Sequence, residues 1–389
     1  MHLRLVRGFD TANRRHGGAG GGEARERRPE GGTGGRRRGR RPGAAAILLA
    51  VLTVASLLLT ACGGAPAASG EAGSSEGTAT GSASGSGTGT ASGSGTGSGA
   101  AGEGEGYVVR HAMGETPIPR TPQRVVVLTN EATEALLALG VKPVGAANSW
   151  LGDPWYDHIA PMMEGVTPVG KEDQPNLEAI AALQPDLILG TKMRHEKIYP
   201  QLSQIAPTVF SETIRGKWQE NFMLWAEAVN RKAEGQRLLE EWNQRLEHFR
   251  QQAGDKLNLE VSLVRFMPGR VRILYKDTFA GSILEEIGFK RPPAQDRPDF
   301  AAEVGKERIP EMDGDILFYY SYETGDGQAT KLEQEWTQDP LWKNLSVVKA
   351  GQVYKVDDVI WNTAGGILAA NLMLDDLYRY VLGTEPPAR

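Results

Sequence analysis

Lys232 to Ala253, KAEGQRLLEEWNQRLEHFRQQA, decides how the rest of the chain is arranged. No proline interrupts it. Leu238, Leu239, Trp242, Leu246 and Phe249 recur at three- and four-residue spacing, which puts them on one face of a helix. At 1.5 Å per residue such a helix extends roughly 33 Å, about the breadth of a small domain. The same spacing reaches back through Phe222, Trp225, Ala226 and Val229, so Gly235 is expected to divide two helices or mark a bend.

The stretches on either side of this rod share a different rhythm. Arg124 to Leu128 (RVVVL) is a continuous β-branched run, as in a strand buried on both faces. Asn130 to Leu139 follows at helical spacing, with Gly140 as a stop. Further strands are expected at 143–147, 186–189 and 208–210, and helices at 176–183 and 195–203. Beyond the rod the pattern restarts, with strands at 259–266, 271–275, 315–319 and 353–356 and helices at 281–287, 306–312 and 366–381. Strands alternating with helices at short spacing imply parallel βα units, an α/β class. The expected organisation is an N-terminal α/β lobe over 107–231, a connecting helix over 232–254 and a C-terminal α/β lobe over 255–389. The lobes rhyme: Asn176-Leu177-Glu178 before Pro185-Asp186-Leu187-Ile188 is echoed by Lys306-Glu307-Arg308-Ile309 before Gly314-Asp315-Ile316-Leu317.

The N-terminal 106 residues belong to neither lobe. Arg36, Arg37, Arg38, Arg40 and Arg41 precede an apolar run from Ala44 to Leu59, closed by Thr60, Ala61 and Cys62. The run is shorter than the ~20 apolar residues a membrane span needs, and the order of parts is that of a secretory signal. The pattern resembles a lipobox, which makes 1–61 a signal peptide and Cys62 a lipidated N-terminus on the extracytoplasmic face of the cell membrane. Residues 63–106 are almost wholly Gly, Ser, Thr and Ala, a composition that cannot bury enough surface to offset its ordering entropy and reads as a tether. Cys62 is the only cysteine, so no disulfide is expected.

Charge narrows function. Residues 1–61 hold 12 Arg against 4 acids, leaving 31 Lys+Arg against 44 Asp+Glu from Cys62 onward. A mature domain at −13 is a poor partner for nucleic acid, which demands a basic face. His111, His158, His195 and His248 are scattered without metal-ligand spacing, so direct metal binding is not expected. Gly73 to Gly77 (GSSEG) fits the Gly-x-Ser-x-Gly pattern only inside the Gly/Ser-rich stretch, with no strand before it. With no such elbow in the lobes, no cysteine nucleophile and no phosphate loop, an enzyme is not expected.

Pro122-Gln123-Arg124-Val125-Val126, Leu139 to Gly145 (LGVKPVG), Asn176-Leu177-Glu178 with Pro185-Asp186-Leu187-Ile188, Asp277 to Gly281 (DTFAG) and the tail Gly365 to Leu377 together resemble the periplasmic binding proteins of siderophore, haem and cobalamin importers. Within that family the chain looks most like the iron–hydroxamate and related ferric-siderophore group. The resemblance implies a class III solute-binding fold, two Rossmann-like lobes joined by a single long α-helix. It implies a monomer that captures a ferric siderophore of hydroxamate or citrate type, without a cofactor of its own, and delivers it to an ABC importer permease. Haem or cobalamin, with His195 or Tyr275 as haem contacts, and a lipid-anchored sensor are the alternatives.

Such a ligand is rich in anionic oxygen, which arginine forks and aromatic faces suit. Ligands in open α/β sheets sit beyond the C-terminal ends of strands. Arg194 lies just past the 186–189 strand beside a helix start, where a cation opposes the helix dipole and ligand contact is the better account. The resemblance carries ligand contact onto Arg265, Arg272, Tyr275 and Trp361, and Trp150, with Trp155 and Asn148, is the next choice for the opposite wall. Strand alternation sets Arg270, Arg272 and Leu274 on one face and Val271, Ile273 and Tyr275 on the other, so both sets cannot face a cleft. A second role for Trp361 is a wedge beneath the last helix. Glu178 and Glu307, one per lobe near a helix start, match the family's permease-docking carboxylates; a carboxylate is also good helix chemistry there.

Overall fold

The computed structural model describes residues 106–388. The expected signal peptide, Cys62 and nearly all of the tether lie outside the described residues. The described chain opens with an antiparallel hairpin of β1 (Tyr107–His111) and β2 (Gly114–Ile118). Then come β3 (Val125–Val127), β4 (Gly145–Asn148), β5 (Thr167–Lys171), β6 (Gln174–Pro175), β7 (Leu187–Thr191) and β8 (Thr208–Ser211). They form one sheet in the order β6-β5-β4-β3-β7-β8, parallel throughout except for β6 against β5. The second sheet contains β9 (Val261–Met267), β10 (Arg270–Leu274), β11 (Ala301–Val304), β12 (Ile316–Ser321) and β13 (Val353–Lys355) in the order β11-β10-β9-β12-β13. Its β9, β12 and β13 run parallel, while β10 and β11 add an antiparallel flank. This is the class III fold, and the two sheets are its two lobes.

Side-chain parity divides each sheet between two cores. In the first, Val125, Val127, Leu187 and Leu189 enter one large cluster, while Val126 and Ile188 face a smaller one with Val169, Ile180 and Phe210. In the second, Val261, Leu263, Leu274, Phe318 and Tyr320 join that same large cluster. Val264, Phe266, Val271, Ile273, Tyr275 and Leu317 pack into a third, with Trp336 and Trp342. The period-2 alternation of a strand thus decides which residues are available to the space between the lobes.

The connecting helix occupies Lys232–Ala253, following a shorter helix at Trp218–Ala228. The break falls at 229–231, where Asn230 adopts a left-handed φ of 58°. Gly235 therefore does not divide two helices: it lies in the first turn of the connecting helix. A Cβ there would come within 2.6 Å of the Ala226 side chain, so hydrogen alone lets the two helices approach. Trp242 meets Trp218 edge-on at 5.4 Å, and Phe249 meets Tyr378 at 5.0 Å, which seats the rod on both neighbouring helices. The closing helix, Ile367–Leu377, packs against the first helix, Asn130–Ala138, where the buried Glu134 carboxylate accepts the Ala369 N–H at 2.9 Å. Lys306–Met312 winds as 3-10 rather than α, with Pro310 inside it unable to donate.

The sequence rhyme between lobes has a mechanical cause. Asp186, just before β7, accepts the backbone N–H groups of Gln123 and Arg124 at 2.8 Å each, beside β3. Asp315, just before β12, accepts the N–H of Glu260 at 2.8 Å, beside β9. Each carboxylate pins the start of one strand to its parallel neighbour.

Candidate functional site

The strand ends that converge between the lobes enclose a cleft of about 520 Å³. Its N-terminal wall is made by residues that follow parallel strands: Glu131 after β3, Trp150 after β4, Glu172 after β5, Met193 and Arg194 after β7, and Ile214 and Arg215 after β8. That is where side chains escape the sheet and can meet a ligand. The C-terminal wall uses the strands themselves. Arg265 of β9 and Arg272 of β10 are directly opposed across the antiparallel ladder, and Arg270 stands opposite Met267. Tyr322 past β12, Phe300 before β11 and Asn362 to Gly365 complete this wall.

Arg265 is buried, its Nε donating to Asp358 Oδ1 at 2.6 Å and its Nη2 to Oδ2 at 3.0 Å, with the guanidinium 5.0 Å over the Tyr322 ring. Arg194 is less enclosed but similarly flanked: its Nε forms one ion-pair contact with Glu172 Oε1 at 3.0 Å and its guanidinium lies 5.1 Å over Trp150. Arg215 sits 4.8 Å over Phe300 and 3.4 Å from Asp277. Among the described residues, Arg270 and Arg272 have Glu303 as their one ion-pair partner, at 3.9 and 3.8 Å, and that carboxylate is well exposed. Burial, then the charge of Arg270, pushes the Arg272 guanidinium down, with Arg265 adding to it, so three crowded cations favour an incoming anion.

The acids of the site differ. Burial pushes Glu131 up to about 8, against hydrogen bonds from Asn221 Nδ2 at 3.1 Å and Trp225 Nε1 at 3.2 Å that favour the ionised form. Burial also raises Glu172 and Asp358, although Arg194 and Arg265 pull the other way.

Of the residues expected to meet a ligand, Arg194, Arg265, Arg272 and Trp150 line the cleft. Tyr275 does not. Parity sends it with Val271 and Ile273 to the far side of the sheet, while Arg272 takes the cleft side. Trp361 is a second correction. It is wholly buried, lies 4.5 Å from the Phe318 ring and donates Nε1–H to Asp376 at 3.0 Å, so it is the wedge beneath the closing helix. Trp155 is likewise core, and Asn148 ends β4 without lining the cleft. His195 offers no haem contact. It is fully buried, with Nε2 2.7 Å from the Glu172 carbonyl and Nδ1 accepting the Thr191 N–H at 3.1 Å. Glu178 and Glu307 stand exposed in the first turns of their short helices, and Asn176 caps the former through the N–H groups of Glu178 and Ala179.

Arg215, Met193, Phe300 and Tyr322 were not anticipated. Arg215, Phe300 and Tyr322 sit in irregular segments, and Met193 in a single helical turn, with no periodicity to assign a direction. Only the expected position of Arg270, on the same strand face as Arg272, could have placed it there.

Two lobes joined by a rod, with arginines converging from both on one cleft, have the architecture of a solute-binding protein. The Periplasmic binding protein family profile matches residues 125–360, and the chain belongs to that family. A Bacillus subtilis (strain 168) protein named “Probable siderophore-binding lipoprotein YfiY” is 50% identical over 287 residues, 71% of this chain and 88% of that one. The “Fe(3+)-citrate-binding protein YfmC” of the same organism is 31% identical over 277 residues, 70% of this chain and 85% of its own. The crystal structure of Staphylococcus aureus SirA complexed with staphyloferrin B is 37% identical with a TM-score of 0.68, covering 72% of this chain and all of that one.

Proposed function

We propose that this chain captures a ferric chelate bearing carboxylate donors, of the ferric-citrate kind, and passes it unchanged to an ABC importer permease. The observation that carries the reading is the cross-strand pair Arg265 and Arg272, set with Arg194 of the other lobe around one cleft. A guanidinium offers two parallel N–H groups that match a carboxylate, and five arginines line this cleft. The likeness to a protein named as ferric-citrate-binding supports the same ligand class. Tethering through a lipid on Cys62 would keep the receptor beside its permease.

Tryptophan fluorescence tests the ligand, since Trp150 lines the cleft beside Arg194. Ferric citrate is expected to quench saturably and more strongly than ferrioxamine B, a ferric tris-catecholate or haem. A flat trace with ferric citrate overturns the reading.

Exposed Glu178 and Glu307 are proposed to meet basic residues of the permease, one on each lobe. Replacing both by alanine is expected to leave ferric-chelate affinity unchanged and to reduce uptake of radiolabelled iron several-fold in cells. Undiminished uptake removes the docking role.

A further inference from the structure

Four of the five cleft arginines fall into two kinds, and the division rests on buried carboxylates behind two of them. Glu172 is fixed on every side. Its Oε2 accepts from the Asn130 backbone N–H at 3.1 Å and from Asn130 Nδ2 at 2.7 Å, and its carbonyl meets His195 Nε2 at 2.7 Å. The remaining oxygen, Oε1, lies 3.0 Å from Arg194 Nε. Asp358, in the other lobe, grips the Nε and Nη2 side of Arg265 with both oxygens. Each guanidinium also lies over an aromatic ring, Trp150 or Tyr322. Each guanidinium is held from behind by a carboxylate, through Nε in Arg194 and through Nε and Nη2 in Arg265, and from one face by a ring. It thereby keeps a single direction and presents its outer edge away from that carboxylate. Among the described residues, Arg270 and Arg272 have no such backing, and their nearest carboxylate is an exposed one almost 4 Å away.

We infer that Glu172 and Asp358 are positioning residues, one in each lobe, which aim Arg194 and Arg265 so that their outer Nη edges grip the carboxylates of the ligand from opposite walls. This rests on the proposed capture of a carboxylate chelate and adds how the cleft distinguishes among anions. The two backed arginines carry little net charge with their partners and select by geometry, because their fork is preset and loses little freedom on binding. The two unbacked arginines supply the attraction for negative charge. An anion of equal charge whose carboxylates are wrongly spaced would engage only the second kind.

Double-mutant cycles with ferric citrate as the probe separate aiming from folding. Glu172→Ala is expected to weaken binding about tenfold or more. In an Arg194→Ala background the same substitution should cost less than about twofold, because the group it aims is already gone. Asp358→Ala and Arg265→Ala should couple in the same way. Glu172→Gln, which keeps the side chain's size and one acceptor oxygen, is the substitute if the alanine variant fails to fold, and it should recover part of the affinity. Equal losses with and without Arg194, or unchanged affinity in Glu172→Ala, overturn the positioning role while leaving the function intact. Failure of the unsubstituted protein to bind ferric citrate sinks the functional reading itself, and this inference with it.

Discussion

The two walls of the cleft carry the same chemistry on different scaffolds. On the N-terminal side, Trp150 and Glu172 come from loops, and Arg194 from a single helical turn, past three separate parallel strands. Their geometry is set by buried hydrogen bonds such as those between Glu172 and Asn130. On the C-terminal side, Arg265, Arg270 and Arg272 stand on two adjacent antiparallel strands, and their spacing is that of the β-ladder. A loop wall must buy its rigidity with internal polar bonds, whereas a strand wall inherits rigidity from its backbone. The N-terminal wall accordingly holds two buried acids, Glu131 and Glu172, and the C-terminal wall crowds three cations on one face.

The sharpest way to break this comparison is to remove one buried and one open arginine from the same wall. Arg265→Ala strands Asp358, which is 3% exposed, in the interior without its counter-ion. Urea unfolding should show a loss of about 3–5 kcal/mol, the usual consequence of orphaning a buried charge. Arg270 has a side chain 43% exposed, with its nearest carboxylate at 3.9 Å, so Arg270→Ala should stay within about 0.5 kcal/mol. Similar losses for both would mean that the wall does not distinguish backed from unbacked arginines.

Strand-borne parts of this contrast were legible in the sequence and loop-borne parts were not. Alternation along 270–275 already stated that Arg272 and Tyr275 cannot share a face, and the core beyond the sheet claims the aromatic ring. Carrying Tyr275 into the site by resemblance ran against that parity, and parity prevailed. Trp361 shows the limit of local pattern in another way, since nothing near it in the sequence reveals that Asp376, fifteen residues on, accepts its N–H. The connecting helix was legible because its apolar face is long and periodic. Its start at 232 was legible too, but Gly235, read as dividing two helices or marking a bend, lies inside its first turn, because a glycine needed for close approach looks in sequence like a glycine that ends a helix. Arg215, Phe300 and Tyr322 had no periodicity to orient them, and they met only through folding.

A smaller effect sharpens the N-terminal wall. Glu131 lies in the first turn of its helix with Asn221 and Trp225 as donors, whereas its neighbour Glu172 has Arg194. Burial raises the Glu131 carboxyl from 4.5 to about 8 in the folded protein. Between those values the native state holds a proton that the unfolded chain releases. The stabilising contribution of this group is therefore complete below about 4.5 and is lost as pH rises through about 8. Glu131→Gln removes the ionisation and keeps the shape. The amide has one acceptor oxygen where both Glu131 oxygens accept, from Asn221 and Trp225, so a pH-independent loss is expected. Against that loss the variant should gain about 2–4 kcal/mol on the unsubstituted protein between pH 5 and pH 9. Paired thermal melts across that range check the sign. A difference that stays flat with pH would show that Glu131 is ionised throughout, making the loop wall a doubly charged acid pair opposite the arginines of the strand wall.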